Sequence, residues 1–320
     1  MPQAAESTQT SGNQRLEPSF TGEDLVKISM LKRFASLSAR ATLSFAALSA
    51  AIFTSGCSSM LYHPTFVQHY DPAQVGLTAE DVYFPTSDGS KLHGWYFKSS
   101  MKKTKGLIVF FHGNGQNLSS HFASLSWIPP YGYDYFIFDY RGYGKSEGTA
   151  SPENTVLDGI AAIRKGRDLA HGLPLVVFAQ SLGGAVALRS LIEMKKEVPI
   201  RLLVLDSAFE SYQGAGQGVL SHAWLTWPFQ PLAYVLLSDK WSADGRVKEL
   251  APTPIVVMHG DHDQTIDYDL GVDVFQAAAE PKEFWKIEGG RHTDAFWRHG
   301  TTYREKFLKR LDQAVLAPAK

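Results

Sequence analysis

Ser181 stands alone between an apolar run and a helix-like run in LVVFAQSLGGAVALRS, residues 175–190. A serine at that place has two uses. It caps the following helix, its oxygen accepting a backbone N–H, or it is a nucleophile held at a sharp strand-to-helix turn. Such a turn strains the serine, so the residues two before and two after it must be small. Here they are Ala179 and Gly183. At a helix start the oxygen meets the positive end of the dipole, and the Leu182 N–H can face a developing oxyanion. A hydroxyl is a weak nucleophile without a base and a third group to orient that base. Downstream, IVVMHGDHDQTID puts Asp263 just beyond an apolar run, and IEGGRHTDAF puts His292 in a glycine-rich loop. Asp263 lies 82 residues after Ser181, and His292 lies 29 after Asp263. That is room for an insert and a strand-helix-strand unit.

Other residues compete for these roles. Asp261 and Asp267 flank Asp263, and Asp206 closes the apolar run LLVLD. Each is an alternative acid. His259, Asp261, His262 and Asp263 superficially resemble a metal cluster, but no matching ligands stand elsewhere and His259 ends a strand-like run, so no metal site is expected. DYRGYGKSEG, residues 139–148, resembles a phosphate-cradling loop without the helix start that motif needs. It reads as a tight turn with Tyr140 and Tyr143 packed beneath the site.

The elements that must carry these groups are legible as apolar runs. They fall at 81–84, 92–97, 106–111, 135–140, 175–179, 202–206, 255–260 and 283–287. The first two flank Asp88-Gly89, a hairpin signal. The later ones are continuously apolar, as strands covered on both faces must be. Helix-length segments at 151–170, 182–196, 268–279 and 296–315 alternate with them. This pattern predicts an α/β fold: a mostly parallel eight-stranded sheet with helices on both faces. Asp263 and His292 then fall at the carboxyl ends of strands, where ligands bind in such sheets. Residues 210–250 break the alternation. That insert holds Trp224, Trp227, Phe229, Tyr234 and Trp241, and is too long for an ordinary loop, so a small helical cap is expected.

In order, FFHGNGQN (110–117), DYRGYGKSEG, AQSLGG, LDSAFES (205–211), HGDHDQTID (259–267) and EGGRH (288–292) resemble the α/β-hydrolase fold serine hydrolases, in particular the short-cap esterase and thioesterase branch. The resemblance covers roughly residues 80–315. Ala179 departs from the glycine usual at that place. The resemblance implies Ser181 as nucleophile, Asp263 as acid (three residues after the glycine of the HG pair) and His292 as base. It also implies an oxyanion hole from the Asn114 and Leu182 backbone N–H groups, with His112 a packed structural residue. It implies ester hydrolysis through an acyl-enzyme on a small-molecule ester or acyl substrate, and no cofactor. A depalmitoylating thioesterase or an aminopeptidase-like amide hydrolase shares the pattern. A non-catalytic envelope module on the same fold would lose one of the three groups.

The chain has 320 residues, 44% hydrophobic and 12% aromatic, enough for a large core. Lys+Arg is 31 against Asp+Glu 32, a net charge of −1 that offers no field for nucleic acid. The only cysteine, Cys57, excludes an intrachain disulfide. Residues 1–29 are polar and read as disordered or as a non-native start. Residues 30–56 run from a basic head (MLKRFASLSAR) through an apolar stretch (ATLSFAALSAAIF) to small residues before Cys57, as secretory signals do. The arrangement resembles a bacterial lipoprotein signal with Cys57 as the lipidation site, although Thr54 stands where leucine is usual. An uncleaved membrane anchor is the alternative, because residues 41–62 carry no formal charge. Either way the hydrolase domain is 57–320, held at the cell envelope of a bacterium, on the outer membrane or a membrane facing the periplasm.

Overall fold

A computed structural model describes residues 62–221, 225–298 and 300–316. The expected N-terminal start, the signal or anchor at 30–56, Cys57 and Trp224 lie outside the described residues. The strands are β1 (His63–Pro64), β2 (Glu80–Pro85), β3 (Lys91–Phe97), β4 (Gly106–Phe111), β5 (Gly115–Gln116), β6 (Tyr133–Phe138), β7 (Leu175–Gln180), β8 (Leu202–Asp206), β9 (Ile255–Gly260) and β10 (Lys282–Ile287). The main sheet has eight strands in the order β10-β9-β8-β7-β4-β6-β3-β2. From β10 to β6 neighbours are parallel, whereas β3 runs antiparallel to both β6 and β2.

Burial follows the sequence. Every residue of β4, β6, β7, β8 and β9 is buried, because helices cover both faces. Along β4 the side chains alternate: Leu107, Val109 and Phe111 join one core, and Ile108 and Phe110 the other. The first core takes helices α2 (Pro152–Ala170) and α3 (Leu182–Glu193). The second takes α8 (Gly300–Leu316) through Phe307 and Leu311. A short α1 (Leu118–His121) follows β5, and α7 (Ala295–Arg298) precedes α8. Helix α3 stops at Glu193, short of the expected 196, because Lys195 and Lys196 turn left-handed. The strand expected at 135–140 is β6, two residues earlier. Asp139 and Tyr140 are instead drawn into side-chain bonds below the site.

The 210–250 insert is helical: α4 (Tyr212–Ser221), a turn at Trp227–Phe229, α5 (Leu232–Leu236) and turns at Asp239–Trp241 and Val247–Leu250. Helix α6 (Tyr268–Ala277) bridges β9 and β10. One feature left no apolar run. The leader strand β1 pairs in parallel with β5, His63 opposite Gly115 and Pro64 opposite Gln116.

Candidate active site

Strand β7 ends at Gln180 and α3 begins at Leu182, so Ser181 must turn the chain in a single residue. It does so at φ 54° and ψ −125°. That conformation costs a non-glycine residue about 1–3 kcal/mol and persists only where its surroundings fix it. Gly183 helps fix it, because a Cβ there would lie well inside 3 Å of the Phe111 and His112 carbonyl oxygens. Gly184 is pressed equally against Ala208. The Ser181 side chain makes no capping hydrogen bond. The N-cap reading therefore fails, since a cap in this strained backbone would gain nothing for the strain.

Asp263 sits in the loop after β9. Its Oδ1 accepts from the Thr265 and Ile266 N–H groups at 2.8 and 3.0 Å. Its Oδ2 accepts from His292 Nδ1 at 2.8 Å, with His259 Nε2 at 3.4 Å from the same oxygen. Burial pushes this carboxyl up. Hydrogen bonds from His259 and His292, with the neighbouring imidazole charge, outweigh burial and hold it well below the usual carboxylate range. An ionised carboxylate only accepts, so His292 Nδ1 carries the hydrogen, which in the neutral ring leaves Nε2 as the basic nitrogen.

Two consecutive residues at the end of β8 tie the pieces together. The Asp206 carbonyl accepts the Ser181 N–H at 2.9 Å, and the Ser207 hydroxyl accepts the Thr293 N–H at 3.2 Å. The elbow and the histidine loop thus hang from adjacent points. The His292 loop is locked from below as well, the Gly290 carbonyl accepting the His262 N–H at 2.9 Å.

The alternative acids are otherwise engaged. Asp206 is buried and accepts from Gln180 Nε2 at 2.9 Å. Burial raises it to about 6. Asp261 pairs with Lys286 at 3.2 Å, and Asp267 packs beside Gly218 of the cap. None of the three hydrogen-bonds His292. Among the described residues no group of three or more His, Cys, Asp or Glu side chains is arranged to hold a metal.

The Gly113–Gly115 loop passes close to the elbow: a Cβ on Gly113 would lie 3.5 Å from that of Ser181. The Asn114 side chain is held, its Oδ1 accepting from Tyr143 OH at 3.0 Å and from the His63 N–H at 2.9 Å. The Asn114 N–H has no acceptor among the described residues, and neither does that of Leu182, which opens a helix. Buried His112 lies beneath the loop, its carbonyl accepting from Tyr140 OH at 3.0 Å. Sequence reading missed three supports. His121 Nε2 donates to the Gly115 carbonyl at 2.8 Å, and its ring stacks on His112 at 5.0 Å. Asn117 Nδ2 donates to the Thr65 and Val67 carbonyls at 3.0 and 2.8 Å, and its Oδ1 caps α1. His63 closes the Asn114 cage. Their only sequence trace is a run of small polar residues after HG.

A cavity of about 550 Å³ lies between α4 and α6. Gln217, Ser221 and Gln230 line its cap side, and Asp263, Asp261, Asp267, Asp269 and Asp273 its floor. Ser181 does not line it.

Residues 102–245 match the family model described as serine aminopeptidase, S33. The chain is 35% identical over 237 residues to the protein YfhR of Escherichia coli O157:H7, covering 72% of this chain and 80% of that one. The chain belongs to the α/β-hydrolase family. The hydrolase shares its fold with the Pyrococcus furiosus esterase Pf2001, at a TM-score of 0.60 and 19% identity over 80% of this chain and 96% of the other. It is also 26% identical over 266 residues to a protein of Macaca fascicularis named lysophosphatidylserine lipase ABHD12, covering 77% of this hydrolase and 64% of that chain.

Proposed function

We propose that this α/β-hydrolase cleaves carboxylic esters through a Ser181-Asp263-His292 triad and an acyl-enzyme intermediate. The observations that support the reading are Ser181 strained at the end of β7 with no capping hydrogen bond from its side chain, and a histidine whose Nδ1 is fixed by an ionised carboxylate. The Ser181 hydroxyl attacks the ester carbonyl carbon while His292 Nε2 takes its proton. Asp263 keeps that tautomer and favours the imidazolium that forms. The carbonyl oxygen becomes an oxyanion facing the Asn114 and Leu182 N–H groups, each worth about 3 kcal/mol in a comparable hydrolase. The tetrahedral intermediate expels the alcohol, which takes the proton from His292. Water then attacks the acyl-enzyme with His292 again as base, releasing acid and restoring the serine.

A second reading, an aminopeptidase-like amide hydrolase, is favoured by the carboxylate-lined cavity at Asp263, which suits a cationic amine. The test is a panel of p-nitrophenyl esters of rising chain length, with a palmitoyl thioester and an amino-acyl anilide alongside. The proposal expects ester turnover that Ser181→Ala abolishes. Anilide turnover alone favours the second reading, and near-full ester turnover by Ser181→Ala contradicts the triad. The proposal includes a tether at the cell envelope, lipidated at Cys57. Mass spectrometry of the mature N-terminus reads this directly, and an unmodified Met30 start removes it.

A further inference from the structure

Residues 41–70 and 212–237 carry no Asp, Glu, Lys or Arg, and neither do residues 106–133, most of which are buried or half-buried. In a chain that is 20% charged, the 212–237 tract alone would ordinarily hold about five such residues. Solvent-facing helices keep charges on their outer face. This cap does not. Its outward side shows Leu225, Trp227 (62% exposed), Phe229, Leu232, Tyr234 and Val235 (74% exposed). Asp239, the first charge beyond the tract, is turned inward, accepting from the Ser211 hydroxyl and the Tyr212 N–H.

The 41–70 and 212–237 tracts meet. Tyr62 in the first and Tyr212 at the start of the second are buried in one core cluster with their phenols adjacent. Next to Tyr62, the His63 N–H bonds Asn114 Oδ1 and β1 pairs with β5, so the leader enters at the catalytic end of the sheet. Asn117 pins Thr65 and Val67 there, and leaves Phe66 and Val67 about 70% exposed. The chain preceding Tyr62 comprises 61 residues, whose apolar stretch ends at Phe53. The eight residues between Phe53 and Tyr62 span at most about 30 Å when extended.

We propose that the uncharged cap face formed by Leu225, Trp227, Phe229 and Val235, with Phe66 and Val67 of the leader, docks on a lipid bilayer, so that Ser181 draws its acyl substrate from that surface. The occupant is lipid because the exposed apolar residues of 225–235 lie in a tract without charge, include tryptophan and tyrosine suited to the interface, and belong to a cap whose first helix meets the leader at Tyr62. Docking stands on these observations alone. The choice of substrate rests on the ester-hydrolase reading.

The test reconstitutes the full chain in phosphatidylcholine vesicles with and without brominated acyl chains. Tryptophan fluorescence should be quenched by the brominated lipid, Trp227→Phe should remove a clear share of that quenching, and Ser181→Ala should be quenched like the parent. Quenching therefore reports docking even if no ester is turned over. A Trp227→Ser/Phe229→Ser/Val235→Ser variant should lose about tenfold or more in turnover of a long-chain ester embedded in the vesicle, yet stay within about twofold on a soluble butyrate ester. Equal losses on both substrates, no loss on either, or quenching indifferent to Trp227 would overturn the proposal. So would a detergent-stable dimer abolished by the same three substitutions without any quenching, because a second copy would then be the occupant.

Discussion

Asp263 shows how much a carboxylate's surroundings decide. Its Oδ1 is taken by two main-chain N–H groups and its Oδ2 by His292. In Asp263→Asn the amide oxygen keeps the two N–H bonds, and the NH₂ then faces His292 Nδ1. The imidazole must become an acceptor there and carry its hydrogen on Nε2, where it cannot take the serine proton. Turnover should fall about 10⁴-fold with substrate affinity little changed, measured as kcat and KM on a soluble ester. Asp206 makes the opposite case. Burial raises it to about 6, two units above an unfolded carboxyl, so the folded state binds its proton more tightly than the unfolded state does. Its contribution is an unfavourable one, fully present above pH 6, worth about 3 kcal/mol, and vanishing below pH 4. Asp206→Asn, which can still accept from Gln180, should raise the melting temperature at pH 7.5 and leave it unchanged near pH 4. A shift equal at both pH values would contradict this.

At the scale of elements, Arg141 joins three of them. Its guanidinium meets Asp158 of α2 at 2.8–2.9 Å and Asp88 of the β2–β3 turn at 2.8 Å, and its N–H reaches Asp158 at 2.9 Å. Burial holds Asp158 at about 6 even beside this partner. Arg141→Ala strands a buried carboxylate and should cost about 3–5 kcal/mol. Adding Asp158→Asn should recover part of that loss in thermal unfolding. This lock was not legible in the sequence. Asp88 was readable only as a turn residue, and nothing in periodicity links it to residues 53 and 70 places away. The main strands were legible because they are buried on both faces and read as unbroken apolar runs. The elbow was legible because its demand for small neighbours leaves Ala179, Gly183 and Gly184 in place. Two-residue β1 and β5 have no period to read, and the Asn117 bonds reach main chain some 50 residues away while the His121 bond turns back six residues across an irregular loop, neither of which leaves a pattern.

Across the whole molecule, rigidity is unevenly shared. The central strands are buried throughout, whereas α4 buries only Tyr212 and Ala215, and α5 only Ala233. Helix α4 also carries Gly214, Gly216 and Gly218, each costing about 1 kcal/mol against alanine. Elements with little buried area open first. Amides of residues 212–237 should exchange hydrogen orders of magnitude faster than those of β4, β7 and β8. Phosphatidylcholine vesicles should slow the cap and leave the sheet unchanged. Uniform protection across cap and sheet would contradict this division. The sequence foretold a helical insert from its length and aromatic content. It did not foretell which aromatic groups face outward, because that depends on which cap residues pack onto the sheet.

The account centres on an activated hydroxyl at position 181. Exposure of the full chain to a fluorophosphonate probe, followed by peptide mass mapping, interrogates that group without any assumption about substrate. The account predicts one adduct, on the peptide holding Ser181, abolished by Ser181→Ala and strongly slowed by Asp263→Asn. A folded protein that takes no probe, or takes it equally well after Ser181→Ala, would contradict it.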